Sequence, residues 1–329
     1  MENIIEPMDL LIQPKINLKE AAHVESALTS GHRMCRGCGA AVIARQATIA
    51  AKMLDIELMA VNATGCMEVA STIYPFNAWK VPWMHNAFEN AAATASGAEA
   101  AFRVMHRKGK LERTPKLVVF GGDGGTFDIG LQSLSGAIER GHDFLYICYN
   151  NGAYMNTGIQ RSGGTPLGAA TTTSPGGSVV PGKPQFQKDL LQIMHAHDIP
   201  VFTASIAYPQ DLMKKVQQGI MYDGPAFMMV DAVCTLGWKV GDGSAVNLSK
   251  LAIETTLFPL ISAFKDKWEL SAPSRRIMMR PENKLPIEEY LKVQGRFKHL
   301  FKPHKDEETI SKLQYLVDEK WDRLLKKVS

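Results

Sequence analysis

Between residues 57 and 230 the chain repeats one pattern: a short run of continuously apolar residues, a polar or glycine-rich turn, then a stretch long enough for a helix. Runs at 57–61, 116–120, 144–149, 199–204 and 226–230 read as strands, and segments at 39–54, 87–106, 129–140, near 187–197 and 209–220 as helices. Gly141 is well placed to stop the third of these helices. A strand that is apolar along its whole length must be covered on both faces. Strands of that kind alternating with helices imply an α/β fold, a mainly parallel sheet with helices on both faces. At 329 residues, with 45% hydrophobic and 21% charged, the chain has ample material for one such core.

The remainder frames this region. Residues 1–33 read as an irregular leader that wraps a neighbour, 34–270 as the α/β domain, and 271–329 as a helical extension. In the extension, Ile310, Leu313, Val317, Trp321 and Leu324 fall on one helical face, which must pack on something. Between Asn150 and Lys188 the periodicity disappears into Gly, Thr, Ser and Pro, and a loop of that length inside a domain is usually functional. The plain alternative is a disordered insertion. The net charge of +4, without dense basic blocks, gives no reason to expect nucleic acid. No run of about 18 apolar residues suggests a membrane span. The first fifteen residues lack the basic start and long apolar core of a signal peptide, so a cytoplasmic location is expected.

The sharpest local feature is Gly121-Gly122-Asp123-Gly124-Gly125, directly after a strand and before a helix. That geometry offers backbone N–H groups and a positive helix end to a phosphate. A dinucleotide fingerprint would need a third glycine where Phe127 stands. Instead the turn carries a carboxylate, as a diphosphate with Mg²⁺ requires: the ion is hard and takes carboxylate together with phosphate oxygens. Asn150-Asn151 ends the next apolar strand, and there the Asn151 amide oxygen and the Ala153 carbonyl could complete the oxygen set. Gly-Asp-Gly, helix, strand, Asn-Asn is the order found in thiamine-diphosphate enzymes. The bland alternative is two unrelated polar turns.

The chain has five cysteines. Cys35 and Cys38 form a tight pair before a helix, while Cys66 and Cys234 each follow a strand. Four thiolates suit zinc or an iron–sulfur cluster, and spacing alone leaves both open, with a thioredoxin-like redox pair as a third reading. Cys148 lies inside an apolar strand and reads as a small buried hydrophobe.

These motifs carry a resemblance. Cys35-Arg-Gly-Cys-Gly39, Asn62-Ala-Thr-Gly-Cys-Met-Glu-Val69, Tyr74-Pro75, the segment 79–83, and His85-Asn-Ala-Phe-Glu-Asn-Ala-Ala92 resemble the beta subunit of pyruvate synthase (pyruvate:ferredoxin oxidoreductase). So do Gly121-Gly-Asp-Gly-Gly-Thr-Phe-Asp-Ile-Gly130 and Tyr154-Met-Asn-Thr-Gly-Ile-Gln-Arg161. The resemblance runs from about Cys35 to the last helix, including 288–300. It implies a thiamine-diphosphate-binding fold in which Cys35, Cys38, Cys66 and Cys234 hold a 4Fe–4S cluster. Asp123, Asn151 and the Ala153 carbonyl would ligate Mg²⁺. Gly65, Gly122, Gly124 and Gly125 would let the backbone approach the cofactor, and Asn156 would be the catalytic residue facing substrate.

The reaction so implied is oxidative decarboxylation of pyruvate to acetyl-coenzyme A and CO₂, reversible, with one-electron transfer to ferredoxin. Partners would be an alpha subunit carrying the glutamate that activates the cofactor's pyrimidine, and gamma and ferredoxin-like delta subunits or domains. Alternatives are the same scaffold acting on oxalate or an aryl glyoxylate, and a non-oxidative lyase whose cysteines bind structural zinc. Glu68 and Glu89 are local candidates for the glutamate, and His85 could touch substrate or simply pack. The family's segment after the last ligand often reads Cys-Pro-Thr-Gly-Trp; here it is Cys234-Thr-Leu-Gly-Trp238, which keeps the thiol and changes its loop.

Overall fold

The computed structural model describes residues 13–177 and 180–328; part of the expected leader, residues 1–12, lies outside them. Its centre is an eight-stranded sheet: β1 (Leu58–Ala63), β2 (Trp83–Asn86), β3 (Lys116–Gly122), β4 (Phe144–Asn150), β5 (Val201–Ser205), β6 (Ala226–Asp231), β7 (Ile261–Phe264) and β8 (Lys267–Leu270), in the order β2-β1-β3-β4-β6-β5-β7-β8. From β2 to β5 neighbouring strands are parallel; β7 runs antiparallel to β5, and β8 to β7.

Burial explains the continuous apolar runs. Alternate residues of one strand serve different cores: Leu58 and Ala60 face one, Met59 and Val61 the other. Val118 and Phe120 repeat the first choice, Leu117 and Val119 the second. On the first face the alanine-rich helix Gly39–Lys52 packs closely against the helix Pro209–Met221. Its contact stripe of Ala40, Ile43, Ala44, Ala47 and Ala51 is buried, so the small side chains set the distance.

Three features depart from the reading of the sequence. The short strand β2 and the β7–β8 hairpin were not anticipated. The first is only four residues long, with the half-exposed burial of an edge, and the second lacks a continuous apolar run. The helix expected over 129–140 is preceded by a π-helix at Gly124–Ile129, closed by Gly130 N–H donating to the Gly125 carbonyl at 2.8 Å. Single π turns of this kind recur at functional sites.

The terminal segments fold back on the same core. The Ile16 carbonyl accepts from Gln210 Nε2 at 2.9 Å, and Leu28 bridges Trp79. The last helix, Glu307–Val328, runs along the outer strand β8. Its Ile310, Leu313 and Val317 join one core, and Trp321 and Leu324 the other, so it closes the end of both layers and covers an otherwise open edge. Replacing Trp321, 5% exposed, by Ala should cost about 3–5 kcal/mol. Urea unfolding of the purified variant measures this; a loss below about 1 kcal/mol would mean that the helix adds little to the fold.

Candidate functional site

The sheet order puts the expected residues in one place. From β1 the chain crosses outward to β2, whereas from β3 it crosses the other way to β4. In a parallel sheet the crevice beyond the carboxyl ends of two such strands is where ligands bind. Cys66 follows β1, Asp123 follows β3, Asn151 follows β4 and Cys234 follows β6, and these four strands are consecutive neighbours.

Asp123 lies at the bottom of this crevice, fully buried. Oδ1 accepts from the Asn151 N–H at 3.2 Å, and Oδ2 accepts from the Ser162 hydroxyl. Burial pushes its pKa up to about 7, against the pull of these two hydrogen bonds. Both hydrogen-bond partners are neutral. The Asn151 amide meets the carboxylate. Its inner terminal atom lies 2.8 Å from the Ala153 carbonyl oxygen and 2.9 Å from Asp123 Oδ1. With its nitrogen in that position the amide donates to both oxygens. Turned over, it brings a third oxygen to the same point. Carboxylate, amide oxygen and backbone carbonyl are the donors that a hard divalent ion takes, so the set fits Mg²⁺.

Above these oxygens is a cleft lined by Gly65, Gly122, Gly124 and Gly125 on one side and by Tyr154 and Asn156 on the other. Its floor is the start of the π-helix, whose first N–H groups have no intrahelical partner. Gly124 is required by contact rather than by torsion: a Cβ there would come 2.4 Å from the Tyr154 ring. The Tyr154 hydroxyl donates to the Gly124 carbonyl at 2.8 Å, joining the two walls. Asn156 is exposed at the mouth.

Among the described residues the segment 150–188 carries no long helix or strand, and polar contacts tie it down. Gly163 N–H donates to Asp128 Oδ2 at 2.8 Å, and Lys188 Nζ to Asp128 Oδ1 at 2.7 Å. The Thr165 hydroxyl donates to the Gly152 carbonyl at 2.7 Å, and the buried Lys183 ammonium to the Thr165 carbonyl at the same distance. The loop therefore braces both oxygen-bearing turns from behind. Ser162, which does so most directly, escaped the sequence reading, because a serine in a Ser/Gly/Thr-rich loop carries no distinguishing signal.

The cysteines separate into two groups. The Cys35–Cys38 turn is held against the Cys234 segment: Gly39 N–H donates to the Val233 carbonyl at 3.0 Å, and the Thr235 hydroxyl to the Arg36 carbonyl at 3.0 Å. Burial pushes the Cys66 thiol up to about 12, helped by the charges of Cys234, Cys38, Cys35 and Asp123. Burial likewise raises Cys38 and Cys234, each with Cys35 adding to the effect. These four thiols thus share one neighbourhood. Cys35 is exposed and the others half-buried. Among the described residues no group of three or more His, Cys, Asp and Glu side chains converges tightly enough to hold a single metal ion. Sulfur is nevertheless the right donor for a multi-iron cluster, and the four-thiol set fits one chemically. Cys148 stays apart, fully buried in β4, as expected of a core residue.

The remaining candidates fall outside the cleft lining. Glu68 is buried, accepts from Thr72 at 3.4 Å and stands 3.7 Å from His85. His85 hydrogen-bonds Thr64 at 3.0 Å and stacks on Trp83. Among the described residues no glutamate lines the cleft, Glu89 included.

Comparison with known proteins agrees with this geometry. Residues 63–230 match the family model of the thiamine pyrophosphate enzyme C-terminal TPP-binding domain. Pyruvate synthase subunit PorB of Thermotoga maritima is 45% identical, over 94% of this chain and 96% of its own. Its counterpart in Methanocaldococcus jannaschii is 48% identical, over 90% and 95%. Ketoisovalerate oxidoreductase subunit VorB of Pyrococcus furiosus is 40% identical, over 94% and 96%. A solved 2-oxoglutarate:ferredoxin oxidoreductase from Magnetococcus marinus shares the fold, with a TM-score of 0.52 and 21% identity over 71% of this chain and 69% of that one. Similarity of this extent, centred on the strands that build the crevice, shows that the chain belongs to the pyruvate synthase subunit PorB family of thiamine pyrophosphate enzymes.

Proposed function

We propose that this chain is the beta subunit of a pyruvate:ferredoxin oxidoreductase, with thiamine diphosphate, Mg²⁺ and a 4Fe–4S cluster at the crevice described above. The observation that carries the reading is the meeting of Asp123, Asn151 and the Ala153 carbonyl at one point, beside four mutually interacting thiols. In this reading Asp123, Asn151 and Ala153 hold Mg²⁺. Gly122, Gly124 and Gly125 offer backbone N–H groups to the diphosphate, Gly65 lets the chain come close, and Cys35, Cys38, Cys66 and Cys234 hold the cluster. When bound, thiamine diphosphate supplies the carbon nucleophile for a 2-oxo group, and the cluster supplies the one-electron acceptor that separates an oxidoreductase from a lyase.

The chain's own part is to bind and orient. Asp123 offsets the charge of the ion, and the braced loop keeps both oxygen-bearing turns in register before anything binds. In this reading Asn156, exposed at the cleft, hydrogen-bonds a substrate. The glutamate required across the cofactor is assigned to an alpha subunit, in keeping with a cleft lined without one. An unfinished surface supports such a partner: Tyr74 and Phe76, just past the Cys66–Ser71 helix, are 94% and 70% exposed. Gamma and ferredoxin-like delta subunits, ferredoxin and coenzyme A complete the assignment.

Asp123→Asn should weaken Mg²⁺-dependent thiamine diphosphate binding by at least about tenfold, or 1.4 kcal/mol, in calorimetry of the complex. Binding that stays at the wild-type level would remove Asp123 from the ion's ligands. The decisive experiment on the whole reading is iron and acid-labile sulfide analysis of the anaerobically purified complex, with EPR before and after pyruvate. About four irons lost in Cys66→Ser, and a new organic radical signal with pyruvate, are expected. Zinc in place of iron, with no radical, would leave a non-oxidative lyase. A response to oxalate or an aryl glyoxylate, but not pyruvate, would change only the substrate.

A further inference from the structure

A buried guanidinium packs on Gly152 and Trp238, next to the oxygen-bearing turn. Arg296 comes from the short helix Gly295–Leu300, far along the chain from every expected ligand except Cys234, and is 3% exposed. Its Nε donates to Gln294 Oε1 at 2.8 Å and its Nη2 to the Tyr290 hydroxyl at 3.1 Å. Nη1 is buried without a hydrogen-bond partner. It packs on Gly152, the residue between Asn151 and Ala153: a Cβ at Gly152 would lie 2.8 Å from it, and the glycine's φ is +79°. Both the torsion and the contact demand glycine there.

The guanidinium also lies flat over Trp238, its carbon 3.8 Å from the ring centroid. Trp238 connects the two halves. Its Nε1–H donates to the Asn151 carbonyl at 2.7 Å, and its backbone N–H donates to the Cys234 carbonyl at 2.9 Å. One cation therefore touches the oxygen-bearing turn at Gly152 and stacks on Trp238, whose indole bonds Asn151 and whose backbone bonds Cys234. The carboxylate whose charge it feels is Asp231, at the end of β6, which accepts from Ser249 at 2.8 Å. A buried positive charge that only filled space would be costly, since desolvation is offset only by good partners, and one of its donors has none.

We propose that Arg296 is a positioning residue for both halves: it fixes the Asn151–Ala153 turn through Gly152 and Trp238, and its charge raises the reduction potential of the cluster held by Cys234. The second half rests on the cluster reading above. The sign follows from Coulomb's law, because a positive charge in a poorly screened interior stabilises the more negative, reduced state. Gln294 and Tyr290 contribute no charge of that sign, so removing Arg296 should be felt directly.

The test is an EPR-monitored redox titration of the intact complex, purified anaerobically, with the cluster identified by the signal that Cys234→Ser abolishes. Arg296→Met, which keeps the stem and removes the charge, should lower the midpoint potential at unchanged iron content. Arg296→Lys should return it towards the wild-type value. Asp231→Asn, which removes the opposing charge and leaves Arg296 in place, should raise it. If Arg296→Met does not assemble, Arg296→Gln, which keeps a polar head without the charge, decides: a lowered potential supports the proposal and an unmoved one overturns it. Fully loaded variants that all titrate with the wild type, or a Lys variant as low as the Met variant, would overturn it and leave the cluster reading intact. A wild-type complex without iron at these cysteines would end both.

Discussion

The site is organised around one uncomfortable group, the Asp123 carboxylate, fully buried at the carboxyl end of β3. Burial alone favours its protonated form, and the Ser162 hydroxyl and Asn151 N–H oppose that only in part. Under the function proposed above, a carboxylate in this position is tolerable because the Asn151 amide and the Ala153 carbonyl would share a cation with it. Everything nearby follows from holding that arrangement open: the glycine-rich floor, the π turn, the Asn151 amide, and the loop that supports both turns from behind.

The polar loop between β4 and the helix Leu190–His195 is the price of that openness. Two strand ends present oxygens but cannot fix their own spacing. The bracing comes from Ser162, Thr165, Lys183 and Lys188, whose contacts run to backbone carbonyls and to Asp123 and Asp128. Buried loop backbone needs partners as any buried backbone does, and here side chains supply them. The result is a support for the two turns built from side-chain contacts rather than from a helix or strand.

Much of this was legible beforehand, for definite reasons. Strands buried on both faces announce themselves as unbroken apolar runs, which is how β1, β3, β4, β5 and β6 were recognised. β2 and the β7–β8 hairpin sit towards the sheet's margins and are short, so no such run marks them. Asp123 and Asn151 stood out because a carboxylate in a glycine turn and a paired asparagine after a strand are unusual locally. Ser162, Trp238 and Arg296 bear on the same turns, but each acts over a long sequence separation. A serine in a serine-rich loop and an arginine in a polar extension look like ordinary surface residues until the fold buries them.

Taken alone, then, the order of residues determined which elements form and which side chains have the chemistry for oxygen and sulfur ligation. Both are local properties: apolar period, turn composition and donor type are readable within a few positions. Only the tertiary structure decided that the ends of β1, β3, β4 and β6 would be neighbours, that four of the five thiols would share one environment while Cys148 would not, and that a C-terminal arginine would pack on Gly152 and Trp238. Those facts depend on strand order and on packing between segments as far apart as Arg36 and Thr235. Such contacts form only when the whole core closes, because no short stretch can bury enough apolar surface to hold them in place.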